Sequence, residues 1–287
     1  MIKKTPQPPE ELFHYCPIES FYGIISNQNI WLSNSNYSND PNENMLANEI
    51  LIEISKNSKD KNIESFAAKV LNDEISILDD QVSFIFCMSK MNDDLNQWRI
   101  YGDNGYGIVL SVRTKYFLEN ELWTILDDKN ILPKFDKIYL SNCIYEEKEH
   151  VDIIKKLLFI FGIMEGKDDL KVTQFKLYLK FYSSFFKHIS YKDEQEWRVV
   201  CLPVTSPQQH VTVKYKMHFR PGRGLIIPYI KQDYIKHSSF ENTPFESVKV
   251  GSNVLNSVSE IMSFVQFMDG DYLGSMGRSK LKIQEIP

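Results

Sequence analysis

The stretch Ser190-Tyr191-Lys192-Asp193-Glu194-Gln195-Glu196-Trp197-Arg198-Val199-Val200 is the most informative part of this chain for chemistry. Read as a strand, it places residues two apart on a shared face. Glu194, Glu196 and Arg198 then line one side, continued by Val200 and Leu202, while Trp197, Val199 and Cys201 fill the other. Charge at the start of a strand buried on both sides is costly unless it is paired. Two uses follow. Glu196 can sit in an ion-pair ladder with Arg198 or with a lysine of a neighbouring strand. Alternatively, the two carboxylates can do general acid–base or cation-stabilising work. Further candidates are His14-Tyr15, closing a first apolar strand, Ser89 at the end of Phe84–Ser89, and Trp98, Arg99 and Tyr101 on the helical turn that follows. Taken singly, each has a plain structural account: a packed histidine, a strand-end serine, an aromatic pair beside a surface arginine.

Other chemistries lack their residues. No GxxxxGK[ST], GxGxxG or GxSxG pattern is present, and Gly102-Asp103-Asn104-Gly105-Tyr106-Gly107 reads as a turn leading into a strand. Cys16, Cys87, Cys143 and Cys201 lie far apart with no CxxC pair, so buried reduced thiols are expected. The six histidines show neither HExxH nor paired metal spacing, and no metal site is expected. Lys+Arg 33 against Asp+Glu 38 gives a net charge of -5, which exerts no overall pull on nucleic acid. Arg220, Arg223, Lys231, Lys236, Arg278, Lys280 and Lys282 leave room for a local basic face. No apolar run approaches the roughly 18 residues of a membrane span. Met1 to Pro9 lacks the apolar stretch of a secretory leader, so a cytoplasmic protein is expected.

The elements that must position these groups follow from periodicity and punctuation. Glu11 to Tyr15 reads as a strand, and Pro17 opens a helix with Ile18, Phe21, Tyr22, Ile24 and Ile25 on one face. Asn29 to Ser33 is a second strand, followed by a polar loop from Asn34 to Glu43. Helices fit 43–56 and 61–78, and Val82 to Ser89 is a strand. Asp93 can cap a short helix that Gly102 closes. A strand from Gly107 to Val112, a helix over 115–126 and a strand from Lys137 to Tyr145 come next. Two helices fill 147–188, interrupted at Gly166-Lys167-Asp168-Asp169. Later strands are Glu194–Val204, Val211–Met217, Leu225–Ile230, Ser247–Val250 and Lys280–Ile283, with helices at Asp233–Phe240 and 254–268. Strands cluster without regular strand–helix alternation, which argues for α+β over a doubly wound sheet. One domain over 1–287, with a helical elaboration around 115–190, is the expected organisation.

Taken together, the chemistry-bearing residues form an ordered set. His14-Tyr15, Ile30-Trp31-Leu32-Ser33, Asn39-Asp40-Pro41, Phe86-Cys87-Met88-Ser89, Trp98-Arg99-Ile100-Tyr101-Gly102 and Glu196-Trp197-Arg198 follow one another along the chain. Their order resembles a large bacterial family of unknown function (DUF2971-like) with the pattern H-Y-T, W-L-S, N-D-P, F-C-x-S, W-x-x-Y and E-W-R. The resemblance covers residues 12–204. It departs at Cys16, where the family usually has Thr, and at Arg99, where Ser is common. That family looks like a distant relative of the ADP-ribosyltransferases, which implies a split antiparallel sheet with helical insertions and NAD as substrate.

By this resemblance His14 falls on the first-strand position, Glu196 on the last, and Glu194-Gln195-Glu196 on the E-x-E pair of the toxin-type branch. The middle position falls on Ser89 or Tyr101. The implied roles are these. Glu196 bonds the ribose 2′-hydroxyl and stabilises the oxocarbenium-like centre left when nicotinamide departs. Glu194 orients or deprotonates the nucleophile. His14, with Tyr15 beside it, holds the adenosine-side ribose. Tyr101 or Trp98 stacks on nicotinamide, and Arg198 or Arg99 faces the pyrophosphate. The function implied is an NAD-dependent ADP-ribosyltransferase, a toxin or antiviral effector acting on a protein or nucleic acid, with a neutralising antitoxin or sensor protein as partner. NAD hydrolysis and a non-catalytic nucleotide-sensing module are the alternatives. A nuclease would draw on Asp40, Glu43 and Lys90, which are only scattered.

Overall fold

The computed structural model describes residues 6–38, 43–72, 82–126, 132–134, 137–163, 168–203, 215–222, 224–234, 244–268 and 274–283. In chain order these form β1 (Glu11–Cys16), α1 (Ile18–Asn27), β2 (Asn29–Asn34), α2 (Glu43–Asn57), α3 (Lys61–Asn72) and β3 (Phe84–Ser89). They continue with α4 (Leu95–Ile100), β4 (Ile108–Arg113), α5 (Thr114–Glu119), β5 (Thr124–Ile125) and β6 (Ile138–Asn142). Next come α6 (Glu147–Ile163), α7 (Asp168–Ser183), β7 (Glu196–Cys201), β8 (Met217–Gly222) and β9 (Leu225–Asp233). The last elements are β10 (Phe245–Val250), α8 (Val258–Met268) and β11 (Ser275–Arg278).

All strands join one mixed sheet, antiparallel except for the β10–β11 and β5–β6 pairs. The sheet divides at β3. One edge of β3 pairs along its length with β7, from Phe84↔Cys201 to Ser89↔Glu196. The other edge has two partners at its two ends: Ser89 pairs with Phe13 of β1, while Phe84 and Ile85 pair with Asn34 and Ser33 of β2. Beyond β1 the sheet continues through β4, β10 and β11. Beyond β2 it continues through β9 and β8, and β6 lies outside β7. Phe86, Cys87 and Met88 therefore sit where two wings of the sheet part.

Alternation along the strands feeds a core on each face. Phe84, Phe86, Trp197 and Val199 pack with Phe21 and Ile24 of α1 and with Ile261 and Val265 of α8. Ile85, Val200 and Leu202 pack on the opposite face with α2, α3, α6 and α7, through Ile50, Phe66, Leu157 and Phe175 among others. Each such aromatic or branched side chain stabilises the fold by about 1.5–3 kcal/mol when fully buried. Among the described residues no helix is long and apolar enough to cross a membrane.

The chain is α+β, as its clustered strands imply, and most elements fall where periodicity puts them. Several do not. The cap of α4 is Asp94, whose carboxylate accepts from the Gln97 N–H. Asp93 instead adopts a left-handed φ of 68° and receives bonds from the Trp98 indole and the Ser279 hydroxyl. The helix expected over 115–126 stops at Glu119, because the Leu122 and Trp123 N–H groups fold back onto the Phe117 carbonyl ahead of β5. Within 115–190, β6 falls inside the strand expected from Lys137 to Tyr145, whereas β5 is a strand the periodicity did not indicate. The strand expected to end at Met217 begins there, and 211–214 lie outside the described residues. Asp233 closes β9 and does not open a helix; 235–240 lie outside as well. The last strand is Ser275–Arg278, not Lys280–Ile283.

Candidate functional site

β7 starts at Glu196 because Gln195 takes a left-handed conformation (φ 43°, ψ 47°) that ends the 3-10 turn Ile189–Glu194. Glu194 therefore does not share a strand face with Glu196, contrary to the simple alternation argument. The kink nevertheless turns both carboxylates onto one cation. Lys187, just beyond α7, donates from Nζ to Glu196 Oε2 at 2.6 Å and also to Glu194 Oε2. Its backbone N–H is fixed on the Ile144 carbonyl at 2.9 Å, and its ammonium lies 4.9 Å from the Tyr191 ring centroid. On the other side of Glu196, Arg198 donates from Nε to Oε1 at 2.6 Å and from Nη2 to Oε2 at 3.0 Å. Arg198 Nη1 reaches the Ser184 carbonyl at 2.9 Å. The ion-pair ladder between Glu196 and Arg198 is thus realised, and the lysine joining it comes from a helix–turn segment, not from a neighbouring strand.

These groups are nearly sealed: Lys187, Glu196 and Arg198 are 3%, 6% and 2% exposed. Burial alone would raise the Glu196 pKa, but Arg198 and Lys187 outweigh it and hold the carboxyl at about 2. For Glu194 burial prevails, and its pKa rises despite the Lys187 charge. The Tyr101 hydroxyl donates to both Glu194 oxygens, at 3.2 and 3.3 Å.

His14 stands on β1 where the wings part. Its ring stacks on Phe86 with centroids 4.1 Å apart, and Nδ1 lies 2.8 Å from the Cys87 carbonyl of β3. A carbonyl only accepts, so Nδ1 carries the proton. Burial lowers the His14 pKa to about 4, with Arg220 adding to the effect against the Cys87 bond, and the ring is neutral at pH 7. Nε2 is then a hydrogen-bond acceptor. The Tyr15 hydroxyl donates to the Met91 carbonyl at 2.7 Å and accepts from the Asp94 N–H at 2.9 Å. Ser89 Oγ donates to the Glu194 carbonyl at 2.7 Å and accepts from the Met91 N–H at 2.9 Å, latching the turn before β7 to β3.

Two adjoining cavities open at this point. The larger, about 550 Å³, runs between β1, α1 and β2 and takes in residues from both faces of the sheet, from Ile24 to Lys187. The smaller, about 80 Å³, reaches Ser89 and Glu194. His14, Tyr15, Tyr101 and Glu196 line both, and Arg198 lines the larger. Trp98 lies behind this wall, fully buried edge-on to Tyr15 with its indole on Asp93. Arg99 is exposed on the last turn of α4, and neither residue lines either of these two cavities.

Sequence reasoning missed Lys187, although a lone lysine in the apolar run from Phe181 to Ile189 was a signal. It also counted Arg220 among surface charges that leave room for a basic face, whereas Arg220 is half-buried and lines the larger cavity. Arg278 is committed to the carbonyls of Gly251, Val254 and Asn256, while Arg223 and Lys236 fall outside the described residues. Asn39-Asp40-Pro41 also falls outside them. Among the described residues no group of three or more His, Cys, Asp or Glu side chains is placed to hold a metal.

Comparison with known families finds a match over residues 97–199 to the family described as "Protein of unknown function (DUF2971)". The matched segment contains Tyr101, Lys187, Glu194, Glu196 and Arg198, and leaves out His14, Ser89 and Arg220. No curated protein and no solved structure matches the chain.

Proposed function

We propose that this cleft binds NAD and transfers its ADP-ribosyl group to a protein or nucleic acid acceptor. The observation that carries this reading is the meeting of His14, Tyr101, Glu194 and Glu196 around one cavity system at the point where the sheet parts. The larger cavity, about 550 Å³, falls in the range of sites for small molecules and cofactors. The ionised Glu196 supplies the negative charge that an oxocarbenium-like centre needs. In the reaction the bond from ribose C1′ to the nicotinamide nitrogen breaks, and its electron pair leaves with neutral nicotinamide. An acceptor oxygen or nitrogen forms the new bond to C1′, and its proton passes to Glu194, the carboxylate with the raised pKa. His14 Nε2 accepts from a ribose hydroxyl.

A second reading is favoured by one specific observation. Arg198 and Lys187 already occupy both oxygens of Glu196, an arrangement suited to a nucleotide-sensing module that binds without turnover. One experiment separates the two. NAD labelled in its adenosine half is incubated with the protein and candidate acceptors, and nicotinamide release is measured separately from label attached to protein, RNA or DNA. Release with attached label supports transfer. Release without it makes water the acceptor. Binding without release supports sensing, and absence of NAD binding overturns both.

A further inference from the structure

Arg220 is a half-buried cation that no carboxylate among the described residues pairs with. Along β8 the exposed Met217 and Phe219 alternate with the half-buried His218 and Arg220. The register His218↔Tyr229, Arg220↔Ile227 and Ser33↔Tyr229 sets Arg220, Tyr229, Ser33 and Trp31 on one face of the β2–β9–β8 wing. Trp31, Ser33 and Arg220 line the larger cavity from that side. The guanidinium donates from Nη2 to Ser33 Oγ at 3.0 Å and lies 5.9 Å from the Trp31 ring centroid. Its Nε is buried and has no hydrogen-bond partner.

Among the described residues no carboxylate pairs with it, in contrast to Arg198, whose fork is filled by Glu196. Its strongest electrostatic neighbours, Tyr229 and Cys16, are both neutral at pH 7; burial raises the Tyr229 pKa and lifts that of the Cys16 thiol to about 12. A guanidinium carries five N–H donors. Partly withdrawn from water, with its Nε buried and Ser33 Oγ its one acceptor among the described residues, the fork has donors left for a ligand.

The Trp31 ring beside it is fixed in place on two sides. Trp31 is held by its indole on Asn29 Oδ1 at 2.8 Å. Behind it stands Gly23 of α1, where an added Cβ would lie 2.2 Å from the indole Cη2. Helix, indole and guanidinium thus form a stack that only a glycine at position 23 permits.

We propose that Arg220 is the phosphate-recognition residue of this cleft, its planar fork engaging phosphate or pyrophosphate oxygens of a nucleotide. This deepens the nucleotide reading above and rests on it for the class of ligand. It assigns to Arg220 the role expected of Arg198 or Arg99, which are committed to Glu196 and exposed on α4 respectively.

Calorimetric titration of ADP, inorganic pyrophosphate and adenosine into wild type, Arg220→Gln and Arg220→Lys tests it. Wild type is expected to bind ADP more tightly than adenosine, and to bind pyrophosphate. Arg220→Gln should lower ADP affinity by about 10- to 100-fold and leave adenosine unchanged. Arg220→Lys, which keeps the charge without the fork, should fall between them and carries the test if the glutamine variant fails to fold. Unchanged ADP affinity in the variants, an equal loss for adenosine, or failure of wild type to bind ADP and pyrophosphate would overturn the proposal. NAD turnover that ignores Arg220 would remove this assignment and leave the transferase reading standing. Arg220-dependent ADP binding in a protein that neither binds nor cleaves NAD would do the opposite.

Discussion

Glu194 and Glu196 are two residues apart in the chain and in opposite electrostatic situations. Glu196 is kept charged by Arg198 and Lys187, while burial raises the pKa of Glu194. Carboxylates whose pKa values are pushed apart divide the work of charge stabilisation and proton transfer. Glu196→Gln keeps the shape and removes the charge, so nicotinamide release should fall by about 100-fold or more while NAD affinity stays near wild type. His14→Ala should do the reverse, weakening NAD binding by about 5- to 150-fold with a smaller effect on the bound-state rate. Binding isotherms and single-turnover release on both variants check this, and equal effects on both quantities in both variants would contradict the assigned roles. The residues behind this prediction were legible because their types are conspicuous: a paired E-x-E at a strand and a histidine closing an apolar run. Lys187 and Arg220 were not, because their meaning lies in partners brought by other elements: Glu194 and Glu196 across a turn, Ser33 across the sheet.

At the scale of elements, the junction between the 3-10 turn and β7 aims the carboxylates. Gln195 holds φ 43° there, a conformation glycine adopts freely and β-branched residues resist. Gln195→Gly should fold with stability close to wild type, whereas Gln195→Val should lose about 1–2 kcal/mol and lower activity by displacing Glu194 from Lys187. Urea denaturation of the pair checks the first effect, and NAD turnover per folded molecule the second. β3, β4 and β7 were readable in advance as short, nearly continuous apolar runs buried on both faces, and β1 as a brief apolar and aromatic run stopped by Pro17. β8 and β11 were not. β8 alternates exposed with half-buried residues, and β11 is Ser-Met-Gly-Arg, so pairing with a neighbour defines each and hydrophobic pattern does not. The split at β3 was likewise invisible locally, since it is a property of which strands share that edge.

The whole molecule should weaken in acid because of groups buried in this cleft and of His150 on α6. His14 and His150 have pKa values below the ordinary histidine value, chiefly through burial, and His14 falls to about 4. The unfolded chain therefore binds more protons than the native one as pH drops below about 6.5. The histidine contribution is complete above that pH and is lost toward 4. The Glu196 contribution is complete above about 4.5 and is lost toward 2. Urea midpoints should fall steadily from pH 7 to 4, and His14→Gln should flatten the upper part of that slope; an unchanged slope would argue against a buried neutral His14. The distribution of the four tryptophans has a consequence of another kind. Trp98, Trp123 and Trp197 are 0%, 2% and 2% exposed, so contact with solvent falls to Trp31, which stands on the wall of the larger cavity beside Arg220. Acrylamide quenching of the native protein should accordingly report one accessible emitter, be relieved when ADP occupies the cleft, and vanish in Trp31→Phe, so that the chain carries an intrinsic optical gauge of its own occupancy.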